Sequence, residues 1–105
     1  MMTLNIKERR SLIQKTVEAL SRIPYIKEVY LFGSMVEGKI TGSSDIDLLI
    51  VVDKKNIKES YIEIALFLEK EINDKSYLID IHVISEEMLR EPPFIWILHK
   101  AEKII

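Results

Sequence analysis

The apolar run Leu48-Leu49-Ile50-Val51-Val52, entered through Asp45-Ile46-Asp47, constrains the fold of this chain more than any other segment. It reads as a strand from Asp45 to Val52. An unbroken run of this kind asks for cover on both faces, so the strand belongs inside a sheet with further layers on either side. Side chains two apart on a strand share a face. Asp45 and Asp47 therefore project together at the mouth of the strand, while Ile46 and Leu48 point the other way. Two carboxylates held that close, with no lysine or arginine between them, repel each other unless cations sit there. Oxygen-rich sites of this sort suit magnesium, which is usually held by one or two carboxylates plus substrate phosphates. Val29-Tyr30-Leu31-Phe32 reads as a second buried strand, from about Glu28 to Phe32, and ends in Gly33-Ser34, ten residues before Asp45. Glycine there permits positive φ and keeps a Cβ away from an approaching phosphate. The turn itself offers backbone N–H groups and a hydroxyl.

The remaining segments supply the cover. Asn5 with Glu8 has the form of a capping box opening a first helix, with Ile6, Ile13, Val17 and Leu20 on one side, and Pro24 stops it after Ser21. Met35 to Ser44, with Gly38 and Gly42, is a short helical turn and a loop. Asn56 and Glu59 repeat the capping pattern before a helix from about Ile57 to Asn73. Its apolar arc (Tyr61, Ile64, Ala65, Phe67, Leu68, Ile72) is wider than a surface helix needs and points to cover by a second chain, a homo-oligomer being one form of it. A third strand runs from Tyr77 to Ile84, Ser85 caps a short helix through Leu89, and Pro92-Pro93 precedes a last apolar segment, Phe94 to Leu98. The order αβ, βα, βα, α predicts an α/β (α+β) domain with helices around a small sheet. At 105 residues the length fits one domain, residues 1–105, and not two. The chain has no cysteine, which excludes disulfides, thiolate catalysis and cysteine-based zinc sites. A net charge of −2 disfavours nucleic acid as the main partner. No apolar run is long enough for a membrane span and the N-terminus has no signal pattern, so a cytoplasmic location is expected.

Nucleotidyl transfer would use these parts together. An oxygen nucleophile attacks the α-phosphorus of a triphosphate, pyrophosphate leaves in line, and two divalent ions clamp the attacking and leaving oxygens. Asp45 and Asp47 are spaced to bridge such a pair of ions. A third carboxylate would complete the set, and Asp80, an acid within the apolar strand Leu78 to Ile84, is the candidate; if its strand neighbours the Asp47 strand, the two acids can face each other. His82 shares the face of Asp80, and a packing role is favoured over a ligand role for it. His99 is expected at the surface, as are Lys54, Lys55 and Lys58. Phe94 and Trp96, two apart on a helix, do not share a face, so at least one can be exposed. Gly33-x-x-x-x-Gly38-Lys39 nearly spells a P-loop, but Ile40 stands where that motif needs Ser or Thr for magnesium.

With Gly33-Ser34, ten residues, Asp45-Ile46-Asp47 and a later Asp80-Ile81-His82-Val83, the chain resembles the DNA polymerase-β nucleotidyltransferase superfamily, and within it the minimal nucleotidyltransferases of prokaryotes. The resemblance covers roughly Ile26 to Ile105. It implies a mixed sheet flanked by helices, ATP as substrate and two Mg2+ ions. Asp45, Asp47 and Asp80 would be the metal ligands and catalytic acids, with Asp80 as the base, and Gly33 and Ser34 would bind the nucleotide. It further implies a HEPN-domain toxin as partner, adenylylated on a tyrosine by a chain that acts as its antitoxin. Glu37 departs from the family pattern, standing where an arginine is common. That substitution favours a second reading, a binding module that neutralises a HEPN toxin by complex formation alone.

Overall fold

A computed structural model describes residues 6–33, 46–53, 56–73 and 78–105. In chain order these form α1 (Ile6–Leu20), β1 (Ile26–Phe32), β2 (Ile46–Val52), α2 (Ile57–Ile72), β3 (Ile79–Ser85), a 3-10 turn (Met88–Arg90), α3 (Phe94–Leu98) and β4 (Glu102–Lys103). The sheet order is β3-β2-β1-β4. β2 pairs parallel with β3 through the α2 crossover and antiparallel with β1, and β1 pairs antiparallel with β4, so the sheet is mixed as expected.

β2 is the interior strand that its composition asks for. Every residue from Leu48 to Val52 is buried, and so is Ile46. Ile46, Leu48, Ile50 and Val52 face one side, where Val29, Leu31, Ile81 and Val83 join Leu12, Ala19 and Leu20 of α1 and Ile64, Leu68 and Ile72 of α2. Leu49 and Val51 face the other side with Ile84, against Tyr30, Phe32, Met88, Leu89, Phe94, Ile97 and Leu98. Two helices thus close one face of the sheet, and the C-terminal segment closes the other. The β-branched content of β2 suits a pleated surface packed from both sides.

Local signals set the ends of the elements. Asn56 Oδ1 accepts the Glu59 N–H at 3.0 Å and caps α2, while Asn73 ends it with φ 63°. The Ser85 hydroxyl accepts the Met88 N–H at 3.3 Å, so the serine caps the turn that follows β3. The bounds of two strands differ from the expectation, and one strand is new. β1 begins at Ile26 because its pairing with Val52 continues past an irregularity between Ile26 and Glu28. β3 runs from Ile79 to Ser85, as far as its parallel partner extends. β4 is not foreseen at all; two charged residues, Glu102 and Lys103, become a strand only through pairing with Tyr30 and Leu31. The Lys103 ammonium lies 3.2 Å from Glu28, and the Ile104 N–H donates to the Val29 carbonyl at 2.8 Å.

Trp96 is 65% exposed and Phe94 half-buried, so of the two aromatics one is exposed, as their two-residue separation allows. Tyr61, Ile62 and Leu66 leave an apolar stripe of α2 in water. Among the described residues no helix is long and apolar enough to cross a membrane.

Candidate active site

Strand register builds the site. Asp47 is the second residue of β2 and Asp80 the second of β3, and the parallel pairing sets them directly opposite each other. On the other side of β2, Asp47 pairs with Phe32, the last residue of β1. Phe32, Asp47 and Asp80 therefore form a row across three strands, on the face that also carries Leu49 and Val51. The arrangement meets the condition set on Asp80: its strand does neighbour the Asp47 strand, and the carboxylates share a face. Asp80 is also an edge-strand acid with a side chain 54% exposed, so the row opens to solvent on the β3 side.

His82, two residues along β3, reaches back over this row. Its Nε2 stands 3.4 Å from Asp80 Oδ2, and its ring lies 5.4 Å from that of Phe32, tilted by 58°. One oxygen from each of Asp47 and Asp80 and one imidazole nitrogen of His82 all fall within 4.8 Å of one another. The packing role favoured for His82 is present in its contact with Phe32, but the same ring also meets the carboxylates. Phe32 is a site residue that the sequence does not single out; its place at the end of β1 was the available signal.

Gly33 follows Phe32 with φ 80°, the left-handed conformation expected of it. The space beside it is not open. A Cβ at this position would collide with the Asp47 carboxylate. Glycine here makes room for the acid, a tighter requirement than phosphate access alone. Ser34 and Asp45, together with Glu37 and Lys39, lie outside the described residues.

The residues present fit a divalent cation. Carboxylate oxygens from adjacent strands converge at a solvent-open edge, with a bare glycine backbone alongside. Hard cations that keep part of their shell for substrate phosphates take donors of this kind. A nucleotidyltransferase needs such an arrangement, and the comparisons with known proteins place the chain in that class. The family model described as polymerase beta, nucleotidyltransferase matches residues 14–94, and the chain belongs to this family and is a nucleotidyltransferase. It is 32% identical over 76 residues to a Methanocaldococcus jannaschii protein assigned as a protein adenylyltransferase, a match covering 70% of this chain and 76% of the relative. A Sulfolobus solfataricus protein assigned as a nucleotidyltransferase has a similar fold, with TM-score 0.52, 24% identity, and coverage of 84% of this chain and 82% of that one. A chain of a toxin–antitoxin complex crystallised with AMP-PNP aligns with TM-score 0.53 and 21% identity, over 89% of this chain and 69% of that one. A chain from the complex of tri-AMPylated Shewanella oneidensis HEPN toxin with its MNT antitoxin aligns with TM-score 0.52 and 17% identity, covering 90% and 69%.

Proposed function

We propose that this chain transfers AMP from ATP to a tyrosine hydroxyl of a HEPN-domain toxin and so acts as the antitoxin of the pair. The observation that carries the reading is the register pair Asp47–Asp80 beside Gly33, an acid pair held by strands at a turn that only glycine can make. The name of the M. jannaschii relative and the MNT–HEPN complexes that share the fold support a protein acceptor.

In the transfer, the tyrosine oxygen forms a bond to the α-phosphorus, the bond from that phosphorus to the bridging oxygen of the β-phosphate breaks, and pyrophosphate leaves. Asp80 accepts the hydroxyl proton. An unperturbed tyrosine hydroxyl titrates near about 10, so a base at hand is needed at neutral pH. Asp45, Asp47 and Asp80 would hold two magnesium ions, which would supply charge neutralisation for the triphosphate and the pyrophosphate. Gly33 and Ser34 bind its phosphates.

The test is incubation of the chain and its HEPN partner with labelled ATP and magnesium. Label appears on the partner with the native chain, and Asp47→Asn lowers transfer by more than about a hundredfold, the upper end for loss of even an outer-shell partner of a metal. Undiminished labelling by that variant would overturn the reading. The sequence favours the alternative of docking without chemistry at one position: Glu37 stands where an arginine is common in the family. Stable complex formation with no label at all would support it.

A further inference from the structure

We infer that His82 is a protein ligand of the ion held by Asp47 and Asp80, and that its nitrogen makes this position prefer manganese over magnesium. The inference rests on the nucleotidyltransferase reading of the site and adds to it a donor and a metal preference.

The argument begins with the position of the ring. The rings of His82 on β3 and Phe32 on β1 meet across the intervening strand β2. With the ring beside Phe32, Nε2 stands on the side where Asp80 Oδ2 lies. At 3.4 Å the pair is longer than the roughly 2.7–3.2 Å of a good N–H···O hydrogen bond. The separation has a better match elsewhere. Two adjacent donors on an octahedral ion at about 2.1–2.2 Å stand about 3.0–3.1 Å apart. Nε2 and Oδ2 need only a few tenths of an ångström to reach that spacing. The Asp47 oxygen completes the group, all three donor atoms lying within 4.8 Å of one another.

Chemistry then sets the preference. Magnesium is met mainly by oxygen donors and gives up its water reluctantly. Imidazole suits transition-metal ions rather than magnesium; manganese shares magnesium's carboxylate chemistry but, as a transition metal, loses less when one oxygen donor is replaced by nitrogen. A set of two carboxylates and one imidazole therefore discriminates between the two ions, where a set of carboxylates alone would not. The side chain of His82 is 44% exposed, so its replacement costs little packing.

Pulsed electron paramagnetic resonance of Mn2+ bound to the full chain with a non-hydrolysable ATP analogue tests this directly. The native chain shows nitrogen coupling to the ion. That coupling changes when histidine is labelled with the heavy nitrogen isotope, which separates it from the adenine nitrogens, and it disappears in His82→Ala. In the same variant the ratio of Mn2+ to Mg2+ affinity falls about tenfold, the lower bound for changes around a metal centre. Mn2+ that binds in an Asp47-dependent way without histidine coupling overturns this inference and leaves the transfer reading standing. Mn2+ binding that is indifferent to both Asp47→Asn and Asp80→Asn removes both.

Discussion

Gly33 shows how tightly single residues are specified around the acid pair. Its φ of 80° and the Asp47 carboxylate lying where a Cβ would go exclude a side chain on two separate grounds. A left-handed conformation costs an L-residue about 1–2 kcal/mol, and the steric conflict with Asp47 adds to it. Gly33→Ala is therefore expected to lower stability by at least that amount in denaturant titration. It also displaces the Asp47 carboxylate, so metal affinity measured by calorimetry falls with it. A variant with unchanged metal affinity would show that the acid has room to move.

Tyr30 offers a second test at the same scale. Burial, followed by its hydrogen bond to Glu28, pushes the Tyr30 hydroxyl up to about 12. Tyr25 is likewise raised to about 12 by burial and then by Glu63. The folded state keeps both protons where the unfolded chain begins to lose them near 10. The stabilisation is complete below pH 10 and is lost as pH rises from about 10 to 12. Thermal melts across that window should show the decline, and Tyr25→Phe with Tyr30→Phe should flatten it. Glu28 has the opposite sense. The Tyr30 hydrogen bond, with help from Lys103, holds its carboxyl below the ordinary 4.5, so its contribution is present above that value and fades as pH falls below it.

Among the elements, β2 and α2 were legible for physical reasons that also make them easy to test. An apolar run with no polar interruption can be satisfied only between two layers, and β2 lies between α1 and α2 on one face and the C-terminal segment on the other. Asn56 announces α2 because a side-chain acceptor is needed where backbone donors have no partner, and it makes that bond to Glu59. Asn56→Ala should cost about 1 kcal/mol, read from the unfolding midpoint. β4 could not be read, since neither Glu102 nor Lys103 carries a strand signal; the element exists through its partner. Glu28→Ala removes the ion pair with Lys103. Amide exchange at Ile104 and Ile105, both of which donate to the Val29 carbonyl, should then quicken, while β2 amides keep their protection. Unchanged exchange would assign the attachment of β4 to its backbone bonds alone.

At the scale of the molecule, the sequence discloses which acids share a face but not how far a side chain from one strand travels over the next. Alternation gives the face of Asp80; its neighbourhood with Asp47 stands in the sequence only as a condition, which the strand order meets. The meeting of His82 and Phe32 across β2 depends on three strands at once, and no pattern within one segment carries it. The core behaves in the same collective way. Leu48 touches the layer closed by both long helices and is fully buried, so Leu48→Ala should cost about 2–5 kcal/mol in chemical denaturation. Because that layer stands behind the acid pair, the loss should fall on the whole unfolding transition rather than on one segment.

The parallel pairing of β2 and β3 has a consequence for how this protein can fail. Strand faces alternate residue by residue, so a pairing displaced by a single position would send Asp47 and Asp80 to opposite sides of the sheet. No rotamer change could reunite them. A preparation that is compact and helical yet inert would thus be suspected first of mispaired strands, and turnover becomes a sensitive gauge of whether the chain has been assembled in step.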